Sequence, residues 1–420
     1  MVFLTKNGSD SAVGSNCGSG HQTSDMRRAP RVLFYSHDTF GLGHLRRSRT
    51  LAAALTASDD QMSALIITGS TVAGRFTFPE RVDYVRLPGV TKRSDGSYIS
   101  DKLDFDIDET TVIRAGLIKA LVELFEPDII VVDKEPTGFR GELRPALEWL
   151  HETGNRARVI LGLRDVLDSP DLLVEEWQRK GAVEAMEKHY DEIWVYGLKS
   201  VYDPTEALDL SENIRQRMIW TGYLRREPVT RSEMPASPYI LVTPGGGGDG
   251  EAMVDQVLSA YEKDPTLSPT ALLVYGPFLT GDARADFEKR VLKLNGRVID
   301  VAFDSRMESL MQGAEGVVAM GGYNTFCEIL SCDIPAVIVP RTVPRLEQYI
   351  RASRAQELGL VRMLDKSPDI DSVDAMIDAI RNLPNQKPPS ASRYEGLLDG
   401  LECVVNRTQA MLAQLKSEQT

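Results

Sequence analysis

Hydrophobic positions fall into short runs, each about the length of a β-strand, and stretches with helical spacing separate them. The runs in the first half of the chain are RVLFYS (31–36), ALIIT (64–68), DYVRL (83–87), DIIVVD (128–133), RVILGL (158–163) and EIWVYG (192–197). Helical patterns lie between several of them, at 44–57, 109–126, 142–152 and 171–188. Strands that alternate with helices in this way predict a parallel sheet covered on both faces.

The pattern stops at 222–237, a Pro- and charge-rich stretch without periodicity, and then begins again. The later runs are YILVTP (239–244), ALLVYG (271–276), RVIDVAF (297–303), GVVAM (316–320) and AVIVP (336–340). We therefore predict two α/β domains, residues 30–221 and 238–389, joined by a linker at 222–237. Residues 1–29 are rich in Ser, Gly, Asn, Asp and Thr, and we expect a disordered tail there.

Composition and charge exclude several classes of protein. The chain has 420 residues, with 48 Lys and Arg against 61 Asp and Glu, and a net charge of −13. Because neither half is basic, non-specific binding to nucleic acid or to an anionic membrane is disfavoured. Apolar runs are far shorter than the about 20 residues of a membrane span, and the N-terminus does not resemble a secretory signal. The four cysteines lack metal-ligand spacing, so we expect a cytoplasmic protein.

Several polar residues directly follow strands of the first domain. They are His37, Asp38, Asp133, Lys134, Glu135, Arg164 and Asp165. Because ligands bind beyond the carboxyl ends of parallel strands, these side chains are candidates for a cleft or an acceptor site. The alternative for each one is a helix cap or a solvated surface charge.

The loop after the first strand, FGLGHLRRS (40–48), places two glycines before a helix that His44 begins. Glycine lets backbone N–H groups approach a ligand closely. Histidine titrates near neutral pH, so His44 is a candidate base for an incoming hydroxyl group. The alternative is that His44 only caps the turn.

Four consecutive glycines, Gly245–Gly248, follow the first strand of the second domain in VTPGGGGDG (242–250). Such a run has a large entropic cost, and a backbone cradle for an anion explains it. The loop also contains GxGxxG, the pattern of dinucleotide-binding proteins. That interpretation requires an acid at the end of the next strand, which reads ALLVYGPF instead, so we disfavour it.

A second glycine pair, Gly321 and Gly322, ends a strand within AMGGYNTFCEILSCDIPAVIVPR (319–341). Thr325 and Glu328 then lie in the first turns of a helix, whose N-terminal N–H groups suit a diphosphate. Glu328 is placed to accept hydrogen bonds from sugar hydroxyls. The alternative is that Glu328 lies on a solvated helix face.

This segment resembles the nucleotide-binding signature of two-domain GT-B glycosyltransferases, in particular family 28, which includes the peptidoglycan N-acetylglucosaminyltransferase. GLGH (41–44) is similar to the glycine-rich first loop, and DIIVVD (128–133) to the strand whose last acid partners the histidine. FDSRM (303–307) resembles the segment that reads the base, and PRLEQYIRA (344–352) resembles the closing motif. The sequence departs from the family in its first loop, HDTFGLGH, and at Arg351, where asparagine is usual.

The resemblance implies two Rossmann-like, doubly wound parallel-sheet domains that face a cleft. A terminal helix over 390–420 is then expected to cross back to the first domain. His44 is implied as the catalytic base and Asp133 as the residue that orients it. The implied donor-binding residues are Gly43, Gly245, Gly246, Gly247, Phe303, Gly321, Gly322, Asn324, Thr325, Glu328 and Gln348.

The activity implied by the resemblance is the transfer of a sugar, with inversion, from a nucleotide-diphosphate donor to a hydroxyl group. UDP is the expected nucleotide, and neither a cofactor nor a metal ion is expected. The acceptor is a small molecule, a glycan or a lipid-linked compound, and a peripheral contact with a membrane stays open.

Two other functions fit the same residues. One is a sugar-nucleotide epimerase or hydrolase, in which Asp38, Glu135 or Asp165 acts as acid or base. The other is a non-catalytic subunit that binds nucleotide sugars.

The segment LDFDIDE (103–109) contains DxD, which holds Mn²⁺ or Mg²⁺ in metal-dependent transferases of another fold. It precedes a predicted helix rather than following a strand. Because the helix dipole favours acids at a helix start, we interpret this segment as a helix N-terminus.

Overall fold

Two parallel β-sheets, one from each half of the chain, organise the protein. The computed structural model describes residues 28–37, 43–93, 97–227, 237–246, 248–276, 279–302, 307–365 and 372–418. Most of the predicted tail and linker, with the predicted site residues Asp38, Gly247 and Phe303, lie outside the described residues.

The strands of the first half are β1 (Arg31–Ser36), β2 (Ser63–Thr68), β3 (Val82–Arg86), β4 (Val90–Lys92), β5 (Tyr98–Ser100), β6 (Ile129–Asp133), β7 (Arg158–Arg164), β8 (Glu192–Tyr196) and β9 (Met218–Trp220). Seven of them form a sheet in the order β3-β2-β1-β6-β7-β8-β9, and every neighbouring pair is parallel. β4 and β5 form a separate antiparallel pair. The central strand β6 is buried at every position, because helices cover both faces of the sheet.

The strands of the second half are β10 (Tyr239–Thr243), β11 (Thr270–Val274), β12 (Val298–Val301), β13 (Gly316–Ala319), β14 (Ala336–Ile338) and β15 (Arg362–Met363). They form one six-stranded parallel sheet in the order β12-β11-β10-β13-β14-β15. The predicted α/β fold with two parallel sheets is confirmed. The short edge strands β9 and β15 were not predicted, because two or three residues carry no readable period.

The helices are α1 (Gly43–Ser58), α2 (Ile107–Phe125), α3 (Arg144–Glu152), α4 (Pro170–Lys180), α5 (Ala182–His189), α6 (Glu212–Gln216), α7 (Glu251–Lys263), α8 (Gly281–Lys293), α9 (Met307–Gln312), α10 (Tyr323–Cys332), α11 (Glu347–Glu357), α12 (Ser372–Asn382) and α13 (Gly400–Ser417). In the described part of the chain, no helix has the length and apolar character needed to cross a membrane.

Two predicted helices differ from the observed ones. The pattern at 171–188 forms two helices, α4 and α5, because Gly181 adopts a left-handed conformation with φ 59° and ψ 38°. The terminal helix was predicted from residue 390 but begins at Gly400, after two short 3₁₀ turns. The hydrophobic period of a sequence does not reveal a single residue in the left-handed conformation or a turn that contains proline.

The two halves share one apolar cluster at their junction. It includes Leu51 of α1, Phe326 of α10 and Val404 of α13, and it continues into both sheets. Tyr223, inside the predicted linker, is fully buried and packs its ring against Phe326 with centroids 5.3 Å apart. The described beginning of the linker is therefore part of the core, and α13 packs against α1 of the first domain.

Candidate active site

His44 and Asp133 form a hydrogen-bonded pair at the carboxyl edge of the first sheet. His44 lies in the first turn of α1, and Asp133 is the last residue of β6. The Nδ1 atom of His44 lies 2.6 Å from Oδ2 of Asp133, and the two side chains are 16% and 6% exposed. The short contact with a carboxylate favours a proton on Nδ1, although Nη2 of Arg47 also lies 3.1 Å from this nitrogen.

Arg47 is a third member of this group that the sequence analysis did not identify. It follows His44 by one helical turn, is 1% exposed, and donates from Nε to Oδ1 of Asp133 at 2.9 Å and from Nη2 to Oδ2 at 2.7 Å. Burial alone would raise the pKa of Asp133, but the charges of Arg47 and His44 outweigh it and hold this pKa well below its usual range. In the sequence, Arg47 follows His44 at the (i, i+3) spacing that places two side chains on the same helix face. This spacing could have identified Arg47 among the three nearby arginines, Arg46, Arg47 and Arg49.

The glycine loop of the second domain is held tightly against the neighbouring strand end. Gly245 has φ 76°, and its N–H group donates to Oγ1 of Thr243 at 3.2 Å. A Cβ atom added to Gly276 would lie 2.4 Å from the carbonyl oxygen of Gly245 and 3.0 Å from that of Gly246. The packing of the loop therefore requires glycine at 276, where a dinucleotide-binding protein would carry an acid.

The N-terminus of α10 lies beside this loop. Gly322 is the N-cap residue and makes no side-chain cap, so the first N–H groups of the helix are not satisfied by the cap. Oγ1 of Thr325 lies 3.9 Å from the position that a Cβ of Gly245 would occupy. The glycine loop and the helix start thus form one concave surface of N–H groups, which suits a diphosphate.

Asn324 connects this helix to the first domain. Its Nδ2 atom donates to the carbonyl oxygen of Gly43 at 3.0 Å, and its Oδ1 atom accepts from Nη2 of Arg226 at 2.7 Å. Asn324 and Gly43 were predicted to bind the donor, and the structure places them in a contact between the domains. This contact brings the His44 loop next to the N-terminus of α10.

Glu328 is buried and bonded to the first domain. Its Oε1 atom accepts from Arg46, which also donates to Glu308 at 3.0 Å. Burial raises the pKa of Glu328, and the charge of Arg46 opposes this effect. The structure thus excludes a solvated helix face for Glu328, and a sugar hydroxyl would have to share the carboxylate with Arg46.

Gln348 lies at the start of α11, close to the end of β14. Its Oε1 atom accepts from the backbone N–H of Arg341 at 3.1 Å. Arg341 also pairs with Glu347 and lies 3.0 Å from Asp249, which follows the glycine loop. Gln348 is therefore held on the same side of the second sheet as the predicted diphosphate site.

Asp165 lies in a buried ion pair between the domains, rather than at an open edge. Both of its oxygens accept from Arg351, at 2.8 and 2.6 Å, and Tyr223 donates to Oδ2 at 3.0 Å. Asp165 and Arg351 are each 1% exposed. Arg351, which departs from the family pattern, also donates to the carbonyl oxygen of Gly321 at 3.0 Å. This acid is thus already engaged and is not placed to act on a donor sugar.

Glu135 is also engaged. Its Oε2 atom accepts from Lys180 at 2.7 Å, and its Oε1 atom lies 3.4 Å from Nζ of Lys134. Burial alone would raise the pKa of Glu135, but these cations and His37 hold it well below its usual range. A carboxylate that stays ionised in this way is a poor general acid.

His37 lies next to the pair of His44 and Asp133, with its ring 5.7 Å from that of His44. Burial lowers the pKa of His37 to about 3, although the charge of Glu135 opposes the shift. Its Nδ1 atom is 3.5 Å from Oη of Tyr35, which donates to Glu142 at 2.8 Å. At neutral pH, His37 is therefore a neutral polar group at the edge of the site.

The low pKa of His37 predicts a loss of stability in acid. Unfolded His37 binds a proton below about pH 6.5, and the folded group binds one only below about pH 3, so unfolding takes up a proton between these values. This contribution to stability falls as the pH falls from 6.5 toward 3. Thermal unfolding of His37→Gln should be less sensitive to pH in this window than that of the wild type. The exposed His151→Gln is the control, and an equal flattening in that variant would contradict the assignment.

The DxD segment forms a helix start. The side chain of Asp106 accepts a hydrogen bond from the N–H of Glu109 at 2.7 Å and caps α2. Within the described ranges, no group of three or more His, Cys, Asp or Glu side chains is arranged to hold a metal ion.

Comparison with known proteins agrees with this geometry. Residues 239–399 match the model of the glycosyltransferase family 28 C-terminal domain. A search of curated proteins finds no significant match. The second domain is thus similar to the glycosyltransferase family 28 C-terminal domain, and the chain has the two-domain fold of the GT-B glycosyltransferases described next.

Solved structures share the fold over nearly the whole chain, at low sequence identity. TcCGT1 in complex with UDP has a TM-score of 0.62 and 14% identity, covering 93% of this chain and 98% of its own. MurG of Acinetobacter baumannii has a TM-score of 0.58 and 11% identity, covering 91% and 99%. UGT71G1 of Medicago truncatula complexed with UDP-glucose has a TM-score of 0.58 and 13% identity, covering 92% and 99%.

Proposed function

We propose that the protein transfers a sugar from a UDP-sugar to a hydroxyl group of an acceptor, with inversion and without a metal ion. The observation that carries this proposal is the hydrogen bond between His44 and Asp133 beside the N-terminus of α10. The contact between Gly43 and Asn324 holds these two parts together. The structures complexed with UDP and UDP-glucose support the choice of nucleotide.

The reaction follows from these groups. Nε2 of His44 takes the proton of the acceptor hydroxyl while its oxygen forms a bond to the anomeric carbon. The bond from that carbon to the diphosphate oxygen breaks, and UDP leaves with the electron pair. Asp133 stabilises the imidazolium that forms, as in other acid–histidine pairs. The N–H groups of the glycine loop and of α10 stabilise the charge on the leaving diphosphate.

The test combines donor binding with transfer. Calorimetry with UDP measures the donor site, and release of UDP from UDP-sugars is then followed with and without a panel of hydroxyl acceptors. We expect UDP to bind, and its release to depend on the acceptor and to continue in the presence of a chelator. Absence of nucleotide binding would contradict the proposal, and release without any acceptor would favour a hydrolase.

Glu328 is proposed to accept a hydrogen bond from a ribose hydroxyl of the donor nucleotide. Glu328→Ala is expected to weaken UDP binding by about 10- to 100-fold, the scale of a lost charge-assisted hydrogen bond. Glu308→Ala is the matched control, because it removes the other carboxylate that binds Arg46. An equal loss of UDP affinity in both variants would mean that the effect comes from Arg46, and not from contact with the nucleotide.

We place the reaction in the cytoplasm, because the described cysteines, Cys327, Cys332 and Cys403, are free thiols. A peripheral contact with a membrane would use exposed apolar side chains of α2, where Val112 is 71% and Leu124 is 81% exposed.

A further inference from the structure

Three basic side chains lie side by side at the carboxyl edge of the first sheet. His37 follows β1, Lys134 follows β6, and Arg164 ends β7, and these strands are consecutive neighbours in the sheet. Lys134 directly follows Asp133, and the ring of His37 packs against that of His44. The three side chains therefore border the proposed catalytic base on the side of the acceptor domain.

Arg164 has no anion bonded to it. Across the described ranges, no residue accepts a hydrogen bond from the side chain of Arg164 or forms an ion pair with it, and its buried Nε atom lacks a partner. Two carboxylates act on Arg164 through their charge without bonding to it. Asp165 is paired with Arg351, and Glu347 is paired with Arg341 through Oε1, while Oε2 of Glu347 has no hydrogen-bond partner among the residues that the structure describes. Arg164 is partly buried, and a guanidinium whose buried Nε lacks a partner has a desolvation cost that a bound anion would offset.

Lys134 is held in place by a strained backbone. Its φ of 70° lies in the left-handed region that residues with a Cβ rarely adopt, and its N–H donates to the carbonyl oxygen of Gly162 at 2.8 Å. Backbone strain of this kind is concentrated at functional sites. The side chain of Lys134 is 14% exposed, and its Nζ lies 3.4 Å from Glu135, which makes a shorter contact of 2.7 Å with Lys180.

The electrostatics agree with this geometry. Burial lowers the pKa of Arg164 to about 10, and although Glu347 opposes the shift, the charges of Arg47 and Arg351 add to it. Burial also lowers the pKa of Lys134; the charge of Glu135 opposes this shift, and the charges of Arg345 and Arg164 add to it. Both cations are therefore destabilised in the absence of a ligand, and a nearby negative charge would stabilise them.

We propose that Arg164 and Lys134 bind an anionic group of the acceptor, a phosphate or a carboxylate, and so place a neighbouring hydroxyl of the acceptor at His44. The planar guanidinium of Arg164 suits two oxygens of one oxyanion, and the ammonium of Lys134 adds a point charge. His37 is neutral and contributes a hydrogen bond to the same ligand. This inference rests on the proposed transferase function and specifies its acceptor class.

The first test measures binding without turnover. Inorganic phosphate and acetate are titrated into the UDP complex, where the diphosphate site is already filled, and thermal unfolding is followed. We expect at least one of these anions to stabilise the wild type. The anion that stabilises it more shows whether the site prefers a phosphate or a carboxylate. Arg164→Gln and Lys134→Gln should lose this stabilisation, and Arg164→Lys should retain part of it.

The control is Arg158→Gln, which removes a cation from the opposite end of the same strand, β7. It should leave the stabilisation by anions unchanged. The proposal is overturned if neither anion stabilises the wild-type UDP complex, or if Arg164→Gln and Arg158→Gln respond alike. UDP binding is measured in the same samples, so a failed donor site is recognised separately from a failed anion site.

The second test uses acceptor pairs that differ only in one anionic group, such as a hexose and its 6-phosphate or its uronic acid. The wild type should prefer an anionic member. Arg164→Gln should lower kcat/KM for that member by about 10- to 100-fold and leave the neutral member nearly unchanged, as expected for the loss of a charge-assisted bond to the acceptor. Equal use of both members by the wild type, or an equal loss for both in the variant, would overturn the proposal.

Discussion

His44→Ala is expected to lower the rate of sugar transfer by about 10²- to 10⁴-fold, the range for loss of a general base. The affinity for UDP should stay the same, because the glycine loop and α10 belong to the other domain. The fold should also be kept, since His44 lies in the first turn of α1 and is partly exposed. Steady-state transfer assays and calorimetry with UDP measure the two effects.

Asp133→Asn is a second test of the proposed role of the His44–Asp133 pair. It keeps the shape of the side chain but removes the charge that stabilises protonated His44, so the rate should fall while UDP binding is retained. The exposed His151→Ala is the control for a histidine outside the site. If His44→Ala transfers sugar at the wild-type rate, or if its main defect is in UDP binding, His44 is not the base.

Asp165→Asn is expected to destabilise the protein by about 3–5 kcal/mol, the scale for removal of one partner from a buried ion pair. The variant leaves the guanidinium of Arg351 buried without its charged partner at the junction of the two domains. Tyr223 also loses a carboxylate acceptor. Urea unfolding, followed by the fluorescence of the buried Trp194, measures the change.

Two further variants separate the ion pair from a general effect of mutation. Asp165→Asn combined with Arg351→Met should recover part of the lost stability, because no unpaired charge is then buried. Arg284→Met, in an exposed pair with Glu288, should cost less than about 1 kcal/mol. If Asp165→Asn unfolds at the same urea concentration as the wild type, the ion pair of Asp165 and Arg351 does not stabilise the domain junction.

The junction between the domains explains why we expect a large loss of transfer rate in His44→Ala and a large loss of stability in Asp165→Asn. The ring of Tyr323, the first residue of α10, lies between Arg47 at 5.5 Å and Arg351 at 5.8 Å from its centroid. Arg47 binds Asp133, and Arg351 binds Asp165. The pair of His44 and Asp133, the start of α10 and the buried ion pair of Asp165 and Arg351 therefore form one connected group.

Much of the fold could be predicted, because it follows from local patterns. Apolar runs such as those at 128–133 and 158–163 form the strands β6 and β7 within a residue or two. The boundaries that differed depend on single backbone conformations, as at Gly181 and before Gly400. Hydrophobic periodicity averages over a window and does not resolve such positions.

The candidate site was predicted less completely, because charges find their partners across long distances in sequence. The resemblance paired His44 with Asp133, and the structure brings these residues together. Glu328 was predicted to meet sugar hydroxyls, yet its carboxylate also binds Arg46 from the other domain. Asn324 and Asp165 likewise turned out to hold the domain junction.

The order of residues along the chain was thus sufficient for the two parallel sheets, the position of the glycine loops and the strand ends that carry polar groups. Apolar residues recur every two residues in a strand and every three to four in a helix, so both elements can be recognised locally. Glycine runs mark places where the backbone adopts conformations that other residues avoid. Which of the clustered arginines stabilises which carboxylate was decided only in the folded chain. Arg47, Arg164 and Arg351 are chemically alike. Burial and distance alone distinguish the partner of Asp133, the residue that pairs with Asp165 between the domains, and Arg164, whose buried Nε has no partner among the described residues.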